Sequence, residues 1–249
     1  MKTGHKGQSI SYKTASMNFY SILGMISAVA FFLPAFIILS SRLLINISLL
    51  ALVFYFLLVM THNLMAANII IVSKELQSNF GVINNYLDVP LMLTGMLMFC
   101  TEKWKQRVLV TSIICFSAFE LIIFFQHQLQ PVSSKYIMGP GILLILFYSL
   151  YLFVNNIKNT IVQGKGVGKT LMITSILFAY GCYFLVYLFA YIQRTSDRQD
   201  VFIIYYLASI IFSVLMAAGL IWVKKRLREI KEVQTTRKEL SVFFQNNYS

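Results

Sequence analysis

The chain has 249 residues, 58% of them hydrophobic and only 12% charged, with a mean hydropathy of +0.71. A water-soluble domain of this length does not carry so few charges, so composition excludes that class and predicts a polytopic membrane protein. The formal charge is +12, but the basic residues lie between apolar runs, which suits anionic lipid headgroups and leaves no folded soluble face for nucleic acid.

Residues 1–17 are polar and are expected to form an external arm; the apolar run behind them is too long for the core of a cleaved signal peptide. A bilayer core needs about 20 apolar residues of helix, and seven runs approach or reach that length: 18–39, 43–61, 84–100, 108–126, 136–155, 170–192 and 201–223. The first two are joined by only Ser40, Ser41 and Arg42, which predicts an antiparallel hairpin. The apolar stretch 64–72 extends the second span or lies in the interface. The expected architecture is therefore an all-α bundle of seven transmembrane helices over residues 18–223, followed by a basic tail, 224–249.

Lysine and arginine set the expected orientation. With the C-terminus inside, fourteen basic residues face the cytoplasm and seven face outward. The bias predicts an N-out, C-in protein of the cell membrane, plasma or inner. The tail after Val223 lacks glycine and proline and is rich in Lys and Arg, so it is expected to continue as helix. It would rest on anionic headgroups or dock a cytosolic protein partner. No soluble catalytic domain is expected behind it.

Several apparent motifs dissolve on inspection. Residues 163–170 resemble a phosphate-binding loop, but Gln163 stands where its first glycine is required and no strand precedes it. Asn46-Ile47-Ser48 fits a glycosylation sequon but falls inside the expected second span. Cys100, Cys115 and Cys182 are unclustered and are expected to be buried, inert thiols. The scattered His5, His62 and His127 show no metal-ligand spacing. His62, Asn63 and Asn68 form a polar patch late in the second span, of the kind that joins helices by hydrogen bonds.

The informative residues are the two acids within the spans, Asp88 and Glu120. A carboxylate in hydrocarbon is costly, and one that persists faces a bundle interior, a water pocket or a partner. Counted from the expected span ends at 1.5 Å per residue, Asp88 lies roughly 6–8 Å and Glu120 roughly 9–10 Å below the outer surface. Both are thus expected in the outer half of neighbouring helices. The sixth span carries Tyr180, Tyr183, Tyr187 and Tyr191 on one helical face. This face serves interhelical packing, or forms an aromatic wall whose hydroxyls serve the two acids.

Two stretches carry a family resemblance. Asp88-Val89-Pro90-Leu91-Met92-Leu93 is similar to the Thr-Thr-Pro-Leu-Leu-Leu region of microbial rhodopsins, and Ala179-Tyr180-Gly181-Cys182-Tyr183-Phe184 resembles their Ala-Tyr-Pro-x-x-Trp retinal wall. The resemblance implies an opsin-like bundle. It departs at the chemistry. The lysine that would hold retinal falls near Ile210, its acidic neighbour near Tyr206, and the third-span counter-ion at Asn84. Without that lysine no Schiff base forms, so a retinal pump is excluded and no covalent cofactor is expected. A non-covalent apolar ligand remains compatible, in a pocket of Asp88, Glu120, Tyr180, Tyr183 and Tyr206. The leading expectation is a receptor-like or scaffold membrane protein that is not an enzyme. The alternatives are a transporter or channel handling protons or cations through Asp88 and Glu120, and an intramembrane enzyme acting on lipid. For the last, two carboxylates without a basic partner nearby do not make an acid–base site.

Overall fold

The computed structural model describes residues 6–41, 46–163, 166–193 and 198–247. Seven helices are long and apolar enough to cross a membrane, and together they define an all-α integral membrane protein. They are α1 (Lys6–Ser40), α2 (Ile47–Ala66), α3 (Lys74–Met96), α4 (Lys103–His127), α5 (Pro131–Gln163), α6 (Val167–Tyr187) and α7 (Arg198–Asn247). Each helix packs on the next in the chain, and α7 closes the ring on α1. Helix α3 also meets α5 directly, which pushes α4 to the rim, where it is the least buried span. Large apolar side chains such as Val29, Phe54, Ile114, Phe125 and Phe147 point outward, as lipid-facing positions require. The interior holds Phe31, Phe56 and Phe212, whose rings lie 5.7–6.2 Å apart and tie α1, α2 and α7 together.

The helix boundaries follow from capping chemistry that hydropathy does not register. Helix α3 begins ten residues before the apolar run, because the Ser73 hydroxyl accepts from the Leu76 N–H at 3.2 Å and Glu75 sits in the positive first turn. Helix α2 begins at Ile47, capped by Asn46, whose Oδ1 accepts from the Ser48 N–H at 3.0 Å. Asn46 is therefore a helix cap rather than a residue within the span. The same helix stops at Ala66: Asn68 takes a left-handed φ of 57° and the Ile69 N–H reaches back to the Leu64 carbonyl at 3.0 Å. Ile69 to Ile71 then form an exposed apolar turn rather than a longer second span.

Other expectations shift at their edges. Helix α1 starts at Lys6, inside the stretch expected to be a polar arm, and ends at Ser40, while α2 starts at Ile47. Lys2, Arg42, Lys165 and Arg194 of the charge comparison, and His5, lie outside the described residues. Helix α5 opens on Pro131, whose missing N–H costs nothing at that position. Helix α6 widens into a π-helical turn over 188–192. Of the three thiols only Cys100 is buried; Cys182 is half-buried and Cys115 is exposed on the rim helix, which corrects the expectation for that residue.

The tail does continue as helix. Helix α7 has 50 residues, roughly 75 Å at 1.5 Å per residue. A hydrocarbon core of about 30 Å accounts for less than half of it. The remainder leaves the bundle at the end that also carries Lys103, Lys105, Arg107, Lys158 and Lys169, here called the basic end.

Candidate functional site

Asp88 lies on α3, fourteen residues from its start at Lys74 and eleven from the end of the span at Phe99. The longer helix thus moves it from the expected shallow position to mid-bundle. Two residues on, Pro90 removes the N–H that would bond the Tyr86 carbonyl, loosening the helix beside the acid. The Tyr180 hydroxyl of α6 donates to Asp88 Oδ1 at 2.9 Å. Tyr55 of α2 lies beside the Asp88 carboxyl and also faces Tyr180. Tyr55 and Tyr180 are 2% and 0% exposed, whereas Asp88 keeps some accessible surface. Three helices therefore converge on one carboxylate from well-packed positions.

The tyrosine face of α6 fans out over three neighbours. Tyr180 reaches α3, the Tyr183 hydroxyl pairs with Ser209 Oγ of α7 at 2.9 Å, and the Tyr187 hydroxyl donates to the Lys135 carbonyl of α5 at 3.1 Å. The rings of Tyr180, Tyr183 and Tyr205 follow one another at 5.4 and 5.2 Å. Tyr205 in turn donates to Asn63 Oδ1 of α2 at 3.4 Å. The result is a polar ladder through α2, α3, α6 and α7, with aromatic faces between its rungs.

Of the five residues expected at the site, Asp88, Tyr180 and Tyr183 belong to this ladder. Tyr206 turns away: it meets Tyr205 edge-on at 5.5 Å but lies against α1 at Gly24. Glu120 is 5% exposed and its Oε1 has no hydrogen-bond partner among the described residues. It faces the α3–α4–α5 contact, between Phe116, which approaches Gly141, and Phe124, which meets Tyr86 at 6.0 Å. The two acids are close enough to feel each other's charge, yet no hydrogen bond joins them.

Other buried atoms share Glu120's condition. Among the described residues His62 Nδ1, Asn63 Nδ2, Asn84 Oδ1 and the Tyr86 hydroxyl are also unpartnered in the half of the bundle away from the basic end, and Ser41 Oγ and Asn155 Nδ2 share the condition toward the basic end. Each such group is costly in an apolar interior. His62 stacks on Phe80 at 6.4 Å, and His127 on Tyr136 at 5.3 Å. Among the described residues no three His, Cys, Asp or Glu side chains gather as metal ligands would.

Toward the basic end the character changes. Met92, Leu93 and Met96 of α3, four to eight residues past Asp88, are 0% exposed, as are Leu52, Ile173, Ile176, Met216 and Leu220. They form an apolar plug roughly 6–12 Å beyond the carboxylate. Tyr55 was absent from the expected site, and its position inside the run Leu52–Leu58 explains why. Only a hydroxyl amid apolar residues at mid-span marks it.

No family model, curated protein or solved structure matches the chain. The fold and site therefore define its class by themselves: a seven-helix integral membrane protein with a carboxylate-centred polar ladder inside the bundle.

Proposed function

We propose that this chain is a receptor-like membrane protein with an opsin-like arrangement of helices, binding a small apolar ligand non-covalently at the Asp88 ladder. The observation that carries the reading is the Asp88 carboxyl, which accepts from Tyr180 at mid-bundle on a residue that is only half-buried. A hydrogen-bond donor or cationic group of a ligand would engage the carboxyl, and the rings of Tyr183 and Tyr205 would cover its apolar part. The side chains of Tyr205 and Ser209 belong to α7, which runs unbroken into the basic extension. A ligand that reorders the ladder thereby acts on the helix that leaves the bundle. With the N-terminus outside, as the basic-residue bias favours, that helix delivers the change to the cytoplasmic side, where a protein partner would read it.

Thermal unfolding of the purified protein against a panel of small apolar amines and alcohols tests the reading. A binding compound raises the melting temperature, and Tyr180→Ala removes the shift. Absence of any shift across the panel would remove the support for a pocket.

The unpartnered Glu120 near Asp88 favours a second reading, proton or cation transport through the pair. The apolar plug beyond Asp88 opposes a through-path, so the receptor reading stands first. Proton flux in proteoliposomes that Asp88→Asn and Glu120→Gln both abolish would reverse that order.

A further inference from the structure

At the basic end, α6 and α7 cross at two glycines. A Cβ on Gly168 would meet the Gly219 carbonyl oxygen at 2.7 Å and the Val223 nitrogen at 2.9 Å, so the two backbones touch there. Helix α6 begins at this crossing, whereas α7 runs on past it. The mismatch leaves a cavity of about 570 Å3 between the start of α6 and the first turns of the α7 extension, with the end of α5 at its edge. Its size falls within the range of small-molecule sites, about 300–1,000 Å3.

Three cations line the cavity, Lys169, Lys225 and Arg226, against one acid, Glu229. That acid is already engaged by Arg226 at 3.2 Å. Lys225 lies 5.9 Å over the Trp222 ring, which also lines the cavity. The first residues of α6 supply a second source of positive potential. Gly166 caps the helix at a φ of 90° with no side-chain cap bond, so the opening N–H groups have no intrahelical acceptor and belong to the cavity wall. Cationic side chains and a helix start acting on one space favour an anion with several oxygens. The rest of the wall is mostly apolar, with Thr101 and Asn156 as its neutral polar members. Trp222, Leu227 and Ile230 continue the apolar surface of α7 outward from the membrane-spanning part and are 53%, 41% and 42% exposed.

We infer that this cavity binds a phosphoryl anion carried on an amphiphile, the headgroup of an anionic phospholipid, between the start of α6 and the α7 extension. The phosphate sits against Lys169, Lys225 and the first α6 N–H groups, and the glyceryl portion lies along Trp222 and Leu227. Basic pockets between spans are a recognised form of headgroup site. The site is independent of the Asp88 ladder. It fixes the angle at which α7 leaves the bundle, because the headgroup touches both helices at their crossing.

The experiment uses the purified full chain in a neutral detergent. Native mass spectrometry counts bound lipid during titration with short-chain phosphatidylglycerol, with phosphatidylcholine for comparison, and Trp222 emission in a Trp104→Phe background follows the same titration. Phosphatidylglycerol is expected to bind saturably, one molecule per chain. Lys169→Gln with Lys225→Gln weakens it about tenfold or more. Arg228→Gln with Arg237→Gln removes the same charge from exposed positions outside the cavity and leaves the affinity within about twofold. Inorganic phosphate titrated alone distinguishes the source: the same saturable, Lys169-dependent response at lower concentration than the lipid supports the anion site and assigns it to the free ion. Binding that never saturates, or equal weakening by the two double variants, overturns the proposal in favour of diffuse headgroup attraction.

Discussion

Tyr180→Phe is the most incisive perturbation of the ladder. It removes one oxygen from a side chain that is 0% exposed and leaves the ring, and with it the packing on Tyr183, in place. What is lost is the 2.9 Å donor to Asp88. A hydrogen bond between neutral groups contributes about 0.5–1.5 kcal/mol and one to a charged group about 1.5–3 kcal/mol; interhelical bonds in membranes average nearer 0.6 kcal/mol. Tyr55 remains beside the carboxyl and softens the loss. The expected cost is therefore about 1 kcal/mol, within the range these values bracket. The single variant alone does not isolate the pair, so the assay is a double-mutant cycle with Asp88→Leu, which removes the acceptor, read by denaturing-detergent titration in mixed bicelles. The two changes share one interaction, and a coupling of about 0.5–1.5 kcal/mol is expected. Additivity within about 0.3 kcal/mol would refute the bond as a functioning contact.

Other outcomes follow from packing and capping. Gly168→Val forces a side chain into the Gly219 carbonyl and the Val223 nitrogen; it should lower stability by about 3 kcal/mol or more in the same titration, whereas Gly181→Ala, which meets nothing within 4 Å, should raise it by about 0.5–1 kcal/mol. Asn46→Ala removes the α2 cap and should cost about 1 kcal/mol, visible as a lower unfolding midpoint with no change in helical content. Glu120→Met replaces a buried, unpartnered carboxyl with an apolar chain of similar size, and the midpoint should rise. A fall would show that Glu120 has a partner that matters to the fold.

The spans were legible because lipid imposes the strongest rule available: long helices with satisfied backbones. Their ends were not, where side-chain caps outweigh hydropathy. Ser73 and Glu75 start α3 in a polar stretch, and this displaced Asp88 from the outer half to mid-bundle. Asn46 looked like a buried sequon for the same reason. The spacing of Tyr180, Tyr183 and Tyr187 placed them on one face, but periodicity does not fix helix rotation. It therefore left open that Tyr180 meets Asp88 while Tyr206, on another helix, turns toward Gly24. Asp88 and Glu120 stand out as a pair in the sequence because both are acids in apolar runs. The structure brings them near without joining them, since the peripheral α4 offers Glu120 only the aromatic contact with α3 and α5. The close crossing of Gly168 and Gly219 left no periodic mark at all, because it depends on two single residues far apart in sequence.

The central claim is that the Asp88 ladder holds a ligand. Native mass spectrometry of the protein purified in mild detergent tests it most directly, with absorbance and fragmentation to identify what is retained. The account predicts one small apolar molecule per chain, present on the wild type and absent from the Asp88→Asn, Tyr180→Phe double variant. A wild-type chain that carries no such molecule and takes up none from the ligand panel, or a molecule retained equally by the double variant, would contradict it.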